Sequence, residues 1–337
     1  MKVLYVGQYS PGTTSKMRGD KIFGILNAEI FDVIDIHIPF YNTNRLWRSL
    51  GFRYNKGPLI GNVNRYVLSK FKKINYDLIW VDKGIFLNEK VIQMFRDYTT
   101  KMVHFTPDPA FTYNKSALFN QTLSYYDFLV TTKSYELDFY YKHVDPSKII
   151  YTTQGFDKEI HKKSESDFKS KKGLVFIGRH EKEREIVIRK LLEDEIPVTL
   201  AGTKWETFAN SHKTNPYLNY LGKGVYGDDY VKQFQNAHIG WGAISKWFPE
   251  LHTTRTFEIP ACGTALLTER NKETTSFFDD SEAIFYDNET DLLEKINFYL
   301  NNEKKLELIA SRGYEKVHQA GYDYESILRK VLKTVMA

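Results

Sequence analysis

The chain has 337 residues, of which 42% are hydrophobic and 26% charged, with a formal net charge of +5 and a single cysteine. That length exceeds one ordinary core and fits two domains of about 150 residues each, with volume for a real interior in both. One cysteine excludes a disulfide framework or a cysteine-based metal site and suits a reducing cytosol, and the modest charge, unaccompanied by any nucleic-acid-binding motif, argues against a nucleic-acid partner.

The opening MKVLYVGQYSPG starts directly with a strand and lacks the basic segment and long apolar core of a signal peptide. No apolar run approaches the ~20 residues of a transmembrane helix, so a cytoplasmic location is expected. Strand-like runs then recur at 3–8, 33–39, 76–81, 101–105, 128–132 and 148–153, separated by helical patterns, which is the signature of a parallel sheet. The loop GQYSPGTTSKMRGDK after the first run matches neither a P-loop nor the dinucleotide fingerprint. Between Asp35 and Asp77 there is no acid, while Arg45, Arg48, Arg53, Lys56, Arg65, Lys70, Lys72 and Lys73 interleave with Trp47, Phe52, Tyr54 and Phe71. Residues 45–73 therefore suit either an anionic membrane surface, at the inner face of the cell membrane, or a phosphate-bearing acceptor. Asp82 follows the run LIWV, and His104 and Asp108 lie in MVHFTPDP. Each can take a proton from an acceptor hydroxyl.

Residues 158–172 are charged and poor in large apolar side chains, and read as a linker between domains 1–157 and 173–320. Beyond them a second series of strands is expected at 173–178, 197–202, 217–221, 238–243, 265–268 and 283–286, then helices at 290–301, 304–319 and 324–335. The last helix, within 321–337, is expected to pack back on the first domain.

Ligands of open α/β sheets bind beyond the carboxyl ends of the strands. After GLVFIG come Gly178 and Arg179 and then a helix carrying Lys182 and Arg184. Free N–H groups at the helix start and these cations suit a diphosphate. YLGKGVYGDDY places Gly222 and Lys223 near a base or phosphate, or in a plain turn, with Asp228 or Asp229 capping a helix. Trp241 and Lys246 follow another strand and suit the wall facing a sugar. In ELHTTRTFEIPACGTALLT, residues 254–260 read as a short helix, Ala261-Cys262-Gly263 as a turn that only small residues fit, at the mouth of the sheet, and 264–268 as a buried strand, with Cys262, Gly263 and Thr264 expected against the nucleotide. Glu258 beside it can accept both ribose hydroxyls. Glu250 precedes Glu258 by eight residues; Glu185/Glu193 and Glu307/Glu315 share the spacing but lie on charged helical faces. No Asp-x-Asp triplet occurs and the histidines are scattered, so no metal is expected.

With these residues in place, the chain resembles a GT-B glycosyltransferase, most closely the branch named after the spore-maturation protein CgeB and akin to family 4. YDLIWVDKGIF, HFTPDP, VFIGRHEKERE and TRTFEIPACGTALLT carry the resemblance, in order and spacing. It implies two Rossmann-like domains facing across a cleft, the second holding a nucleotide sugar and the first an acceptor. Arg179 and Arg184 take the diphosphate positions, Glu258 the ribose position and Glu250 the position near the donor sugar. The glycines usual after that first Glu are replaced by Leu251-His252-Thr253. The implied activity is metal-independent transfer of a sugar from a nucleotide diphosphate to a cell-envelope glycan or lipid-linked acceptor, with retention. The alternative is a catalytically silent carbohydrate-binding or scaffold protein on the same fold.

Overall fold

Twelve short apolar runs become twelve parallel strands in a computed structural model that describes every residue except 113, 114 and 248. The chain forms two compact units, Met1–Thr153 with Tyr324–Ala337, and Gln154–Asp323. In the first, β1 (Lys2–Gly7), β2 (Ile30–Asp35), β3 (Tyr76–Asp82), β4 (Thr99–Thr106), β5 (Phe128–Thr131) and β6 (Ile149–Tyr151) lie in the order β2-β1-β3-β4-β5-β6. In the second, β7 (Leu174–Ile177), β8 (Val198–Ala201), β9 (Leu218–Tyr220), β10 (Ile239–Trp241), β11 (Ala265–Glu269) and β12 (Ile284–Tyr286) lie in the order β12-β11-β10-β7-β8-β9. Helices cover both faces, so central strands such as β3 and β7 are buried along almost their whole length.

Both sheets reverse direction of growth once, between β1 and β3 and between β7 and β10. At such a point adjacent connections leave to opposite faces and open a crevice at the carboxyl edge. Each unit has a cavity there: about 130 Å³ lined by Gln8, Arg18, Asp82, Lys83 and His104 in the first, and about 190 Å³ lined by Glu181, Arg184, Trp241, Ala243 and Lys246 in the second.

Two segments differ from the sequence reading. The second strand ends at Asp35, and His37–Asn42 is a helix whose first N–H, that of His37, donates to the Asp35 carboxylate at 2.9 Å, with Pro39 inside the first turn where its missing N–H costs nothing. Residues 158–172, read as a linker, belong to the second unit. His161, Phe168 and Lys171 are buried there, and the Lys171 ammonium donates to the Gly263 carbonyl at 2.6 Å. The charges misled because lysine stems pack while their heads find partners.

The helix Tyr324–Met336 belongs to the first unit, where Ile327, Leu328, Val331, Leu332 and Val335 form one buried face beside the helix Thr14–Leu26. Lys101 donates to the Val335 carbonyl at 2.6 Å. No helix among the described residues is long and apolar enough to cross a membrane.

Candidate functional site

At the carboxyl edge of the second sheet the loops after β7, β8 and β9 meet backbone to backbone. The Gly202 N–H donates to the Gly222 carbonyl at 3.0 Å, and a Cβ on Gly202 would lie 1.8 Å from the Gly178 carbonyl oxygen. With φ at +143°, only glycine fits there. Trp205 Nε1 donates to the same Gly178 oxygen at 2.9 Å, which holds the Gly178–Arg179 turn in place.

From that turn the two arginines take different positions. Arg184, in the first turn of the helix Lys182–Glu193, is buried; its guanidinium donates to the Arg179 carbonyl at 2.9 Å and pairs with Glu181 at 3.1 Å. Burial lowers its pKa, opposed by Glu181. Glu181 also accepts from Ser245 Oγ at 2.9 Å and the Lys246 N–H at 3.3 Å, tying the β7 and β10 loops together. The Arg179 guanidinium lies 4.6 Å from the ring centre of exposed Trp247, and its Nε is without a hydrogen-bond partner. One arginine is thus fixed and buried while the other keeps donor capacity. Lys246 pairs with Glu269 at 2.7 Å, and Trp241 is core, its indole N–H donating to Tyr286.

Glu258 sits in the middle of the helix Arg255–Ala261 and is 5% exposed. The Tyr230 hydroxyl donates to one carboxylate oxygen at 2.6 Å; His161 Nε2 stands 3.7 Å from the other. Burial, then Glu258, raises the Tyr230 pKa well above its ordinary value, so that phenol stays protonated and donating. A carboxylate has lone pairs for further donors. Glu250 is half-buried in the loop between β10 and this helix.

The other expected residues fall elsewhere. Cys262, Gly263 and Thr264 precede β11 and so lie at its amino end, opposite the edge where Arg179 and Gly222 sit. Their groups are spent inward: the Thr264 hydroxyl donates to the Phe234 carbonyl, Gly263 (φ +69°) turns the chain against Lys163, and burial pushes the Cys262 thiol pKa up. This turn braces the fold and does not face a nucleotide at the carboxyl edge. Gly222 is at that edge, whereas Lys223 is exposed at the corner and pairs with Glu206 at 3.3 Å.

In the first unit the cavity is floored by a buried Arg18–Asp82 pair, with bonds of 2.8 and 3.0 Å, to which Tyr5 adds its hydroxyl at 3.0 Å. Asp82 is therefore a structural anion and not a free base. His104 is 1% exposed; its Nε2 lies 2.7 Å from the Lys83 carbonyl, leaving Nδ1 without a partner. The carbonyl fixes the proton on Nε2, and burial lowers the pKa to about 4, which makes Nδ1 a hydrogen-bond acceptor and a weak base. Asp108 lies at the rim, 2.5 Å from the Lys83 ammonium. Burial would raise its pKa, but Lys83, Lys133 and Arg18 outweigh that and it titrates below the usual carboxylate range.

Glu181, His161, Tyr230 and Gly202 escaped the sequence reading. Glu181 and Arg184 show the i,i+3 spacing of an ion pair, a signal available but weak. His161 gave none, because it lies in the charged stretch taken for a linker.

Residues 179–333 match the family model described as glycosyl transferase-like. No curated protein matches the chain. Solved structures align along its whole length at low identity. HepE of Anabaena, in complex with UDP and glucose, superposes with a TM-score of 0.66 at 15% identity, covering 100% of both chains. Sucrose-phosphate synthase from Thermosynechococcus elongatus gives 0.70 at 11% over 99% of this chain and 98% of that one. A glycosyltransferase from Rickettsia africae gives 0.66 at 14% over 98% and 97%. The fold is that of the GT-B glycosyltransferases.

Proposed function

We propose that the protein is a metal-independent glycosyltransferase of the CgeB-like branch, akin to family 4, that moves a sugar from a nucleoside diphosphate to a hydroxyl of a cell-envelope glycan or lipid-linked acceptor. The observation that carries this is the pair of arginines at the switch point of the second sheet, inside the segment that matches the glycosyl transferase-like model. Arg184, held by Glu181, supplies a fixed charge, and Arg179 supplies donors to a diphosphate whose negative charge grows as the bond to the anomeric carbon breaks. Glu258 takes the ribose hydroxyls and Glu250 lies near the donor sugar. The first unit holds the acceptor, whose oxygen forms the new bond to the anomeric carbon while its proton passes to the departing diphosphate, with retention. If transfer inverts, Asp108 is the base.

A silent binding or scaffold protein on the same fold is the second reading, favoured by one observation: Glu258 and Asp108 are already engaged, by Tyr230 and Lys83. Thermal stabilisation against UDP, GDP, dTDP, CMP and ADP in the presence of a chelator tests both. UDP is the first candidate, being the ligand of the structurally similar HepE complex. A shift with one nucleotide, lost in Arg179→Ala and Glu258→Ala, together with turnover of the matching sugar donor, supports the transferase. Nucleotide binding without turnover, or no shift at all, supports the silent reading.

A further inference from the structure

The helix Arg45–Tyr54 spends almost none of its apolar side chains on the core: of its ten residues only Gly51 is buried, where it packs closely on Leu59. Leu46, Trp47 and Tyr54 are 63%, 44% and 58% exposed. At 100° per residue Leu46, Leu50, Tyr54 and Trp47 share one side of the helix, and Arg45, Ser49 and Arg53 the adjoining strip. The segment 38–54 holds six of the eighteen exposed large hydrophobic residues found among the described residues, Ile38 and Tyr41 included. Such clustering in one short stretch is not the scatter expected of an ordinary surface.

Charge sharpens the reading. From 36 to 76 there are eight lysines and arginines and no acid. Lys72 is drawn to Asp32 at 2.6 Å, but Arg45, Arg53 and Lys56 are exposed on or just after this helix, and Arg65 is exposed on the helix Pro58–Lys70. Arg48 instead lies over the rings of Phe40 and Tyr41, at 5.6 and 5.8 Å. Between the helices His37–Asn42 and Pro58–Lys70 a shallow cavity of about 350 Å³ is lined by Ile38, Asn62, Arg65 and Tyr66.

We propose that this face docks on an anionic lipid bilayer, Leu46, Trp47 and Tyr54 entering the headgroup and acyl boundary while Arg45, Arg53 and Lys56 meet lipid phosphates. An apolar strip edged with cations and lacking acids is complementary to that surface and to no neutral one. A second copy of the chain would bring cations against cations. The docking places the first unit at the membrane, and it deepens the reading of a lipid-linked or envelope acceptor on which it rests.

The test is co-sedimentation of the full chain with vesicles of phosphatidylcholine alone or with 30% phosphatidylglycerol, alongside nucleotide-induced thermal stabilisation of the same samples. Expected is binding to the anionic vesicles only, at least tenfold weaker in 0.5 M salt and in Arg45→Glu/Arg53→Glu/Lys56→Glu, and reduced several-fold in Leu46→Ser/Trp47→Ser, with the nucleotide shift unchanged in both variants. These residues lie outside the core, so the variants should keep the native melting temperature. Equal binding to neutral vesicles, no binding to either, undiminished binding of the triple-charge variant, or a dimer in solution dissolved by Leu46→Ser/Trp47→Ser would each overturn the proposal. A nucleotide shift without vesicle binding rejects the docking alone; vesicle binding without any nucleotide shift rejects the transferase reading alone.

Discussion

Arg179 and Arg184 sit five residues apart, yet their truncation should have opposite signatures. Arg184→Ala leaves the buried Glu181 carboxylate without its cation, and the loss of a buried partner costs about 3–5 kcal/mol. Arg179→Ala removes a guanidinium stacked on an exposed ring, a change of about 1 kcal/mol or less. Urea denaturation should find the first variant strongly destabilised and the second near native, while both lose nucleotide stabilisation. His104 sets a pH dependence. Its folded pKa of about 4 lies below the ordinary 6.5, so the neutral ring contributes stability that is complete above pH 6.5 and lost as the pH falls toward 4. That loss is about 3 kcal/mol. A urea midpoint followed over this range should fall in the native protein and fall less in His104→Gln. At this scale the sequence showed which residues follow strands, and hence Gly178, Arg179 and Asp108, and that His104 lies near the end of one. Partners that are distant in sequence, such as Tyr230 for Glu258 or Lys83 for Asp108, were invisible because only folding brings them together.

The loop between β10 and the helix Arg255–Ala261 has Leu251-His252-Thr253 where the resembled family has glycines, and the structure shows what those residues do. His252 is buried and uses both ring nitrogens: Nδ1 meets Glu273 at 2.5 Å, and Nε2 accepts the Gln154 N–H at 3.1 Å. Asn271 donates to the Leu251 carbonyl at 2.9 Å. His252→Ala should cost about 1–3 kcal/mol and speed proteolytic cutting within 246–253; an unchanged cleavage rate would deny the clamp. Gly202→Ala should cost about 2–4 kcal/mol, through a carbonyl clash and a forbidden φ, read as a lowered melting temperature. The strands were legible because those of parallel sheets are buried on both faces and run as unbroken apolar stretches. The Ala-Cys-Gly turn was legible as a turn but assigned to the wrong edge. Small residues reveal a tight bend, not which end of a neighbouring strand it faces.

Two units were expected from length alone, and the return of the last helix from the position of its apolar pattern. The boundary was harder to read, since the charged stretch 158–172 is packed into the second unit through His161, Phe168 and Lys171. The terminal helix buries five large aliphatic side chains, worth roughly 1.5–3 kcal/mol each, which together rival the 5–15 kcal/mol of a typical domain. A chain ending at Asp323 should therefore lose cooperative melting of the first unit by calorimetry while the second still melts. The same helix sets an order of events during synthesis. Gln154–Asp323 is one uninterrupted stretch and is complete before residues 324–337 are made, whereas the first unit waits for them. The usual N-to-C sequence of folding on the ribosome is thereby inverted: the part made first is finished last. Until residues 324–337 are added, then, the helix Thr14–Leu26 lacks the apolar partner that packs beside it, a natural hold for a chaperone.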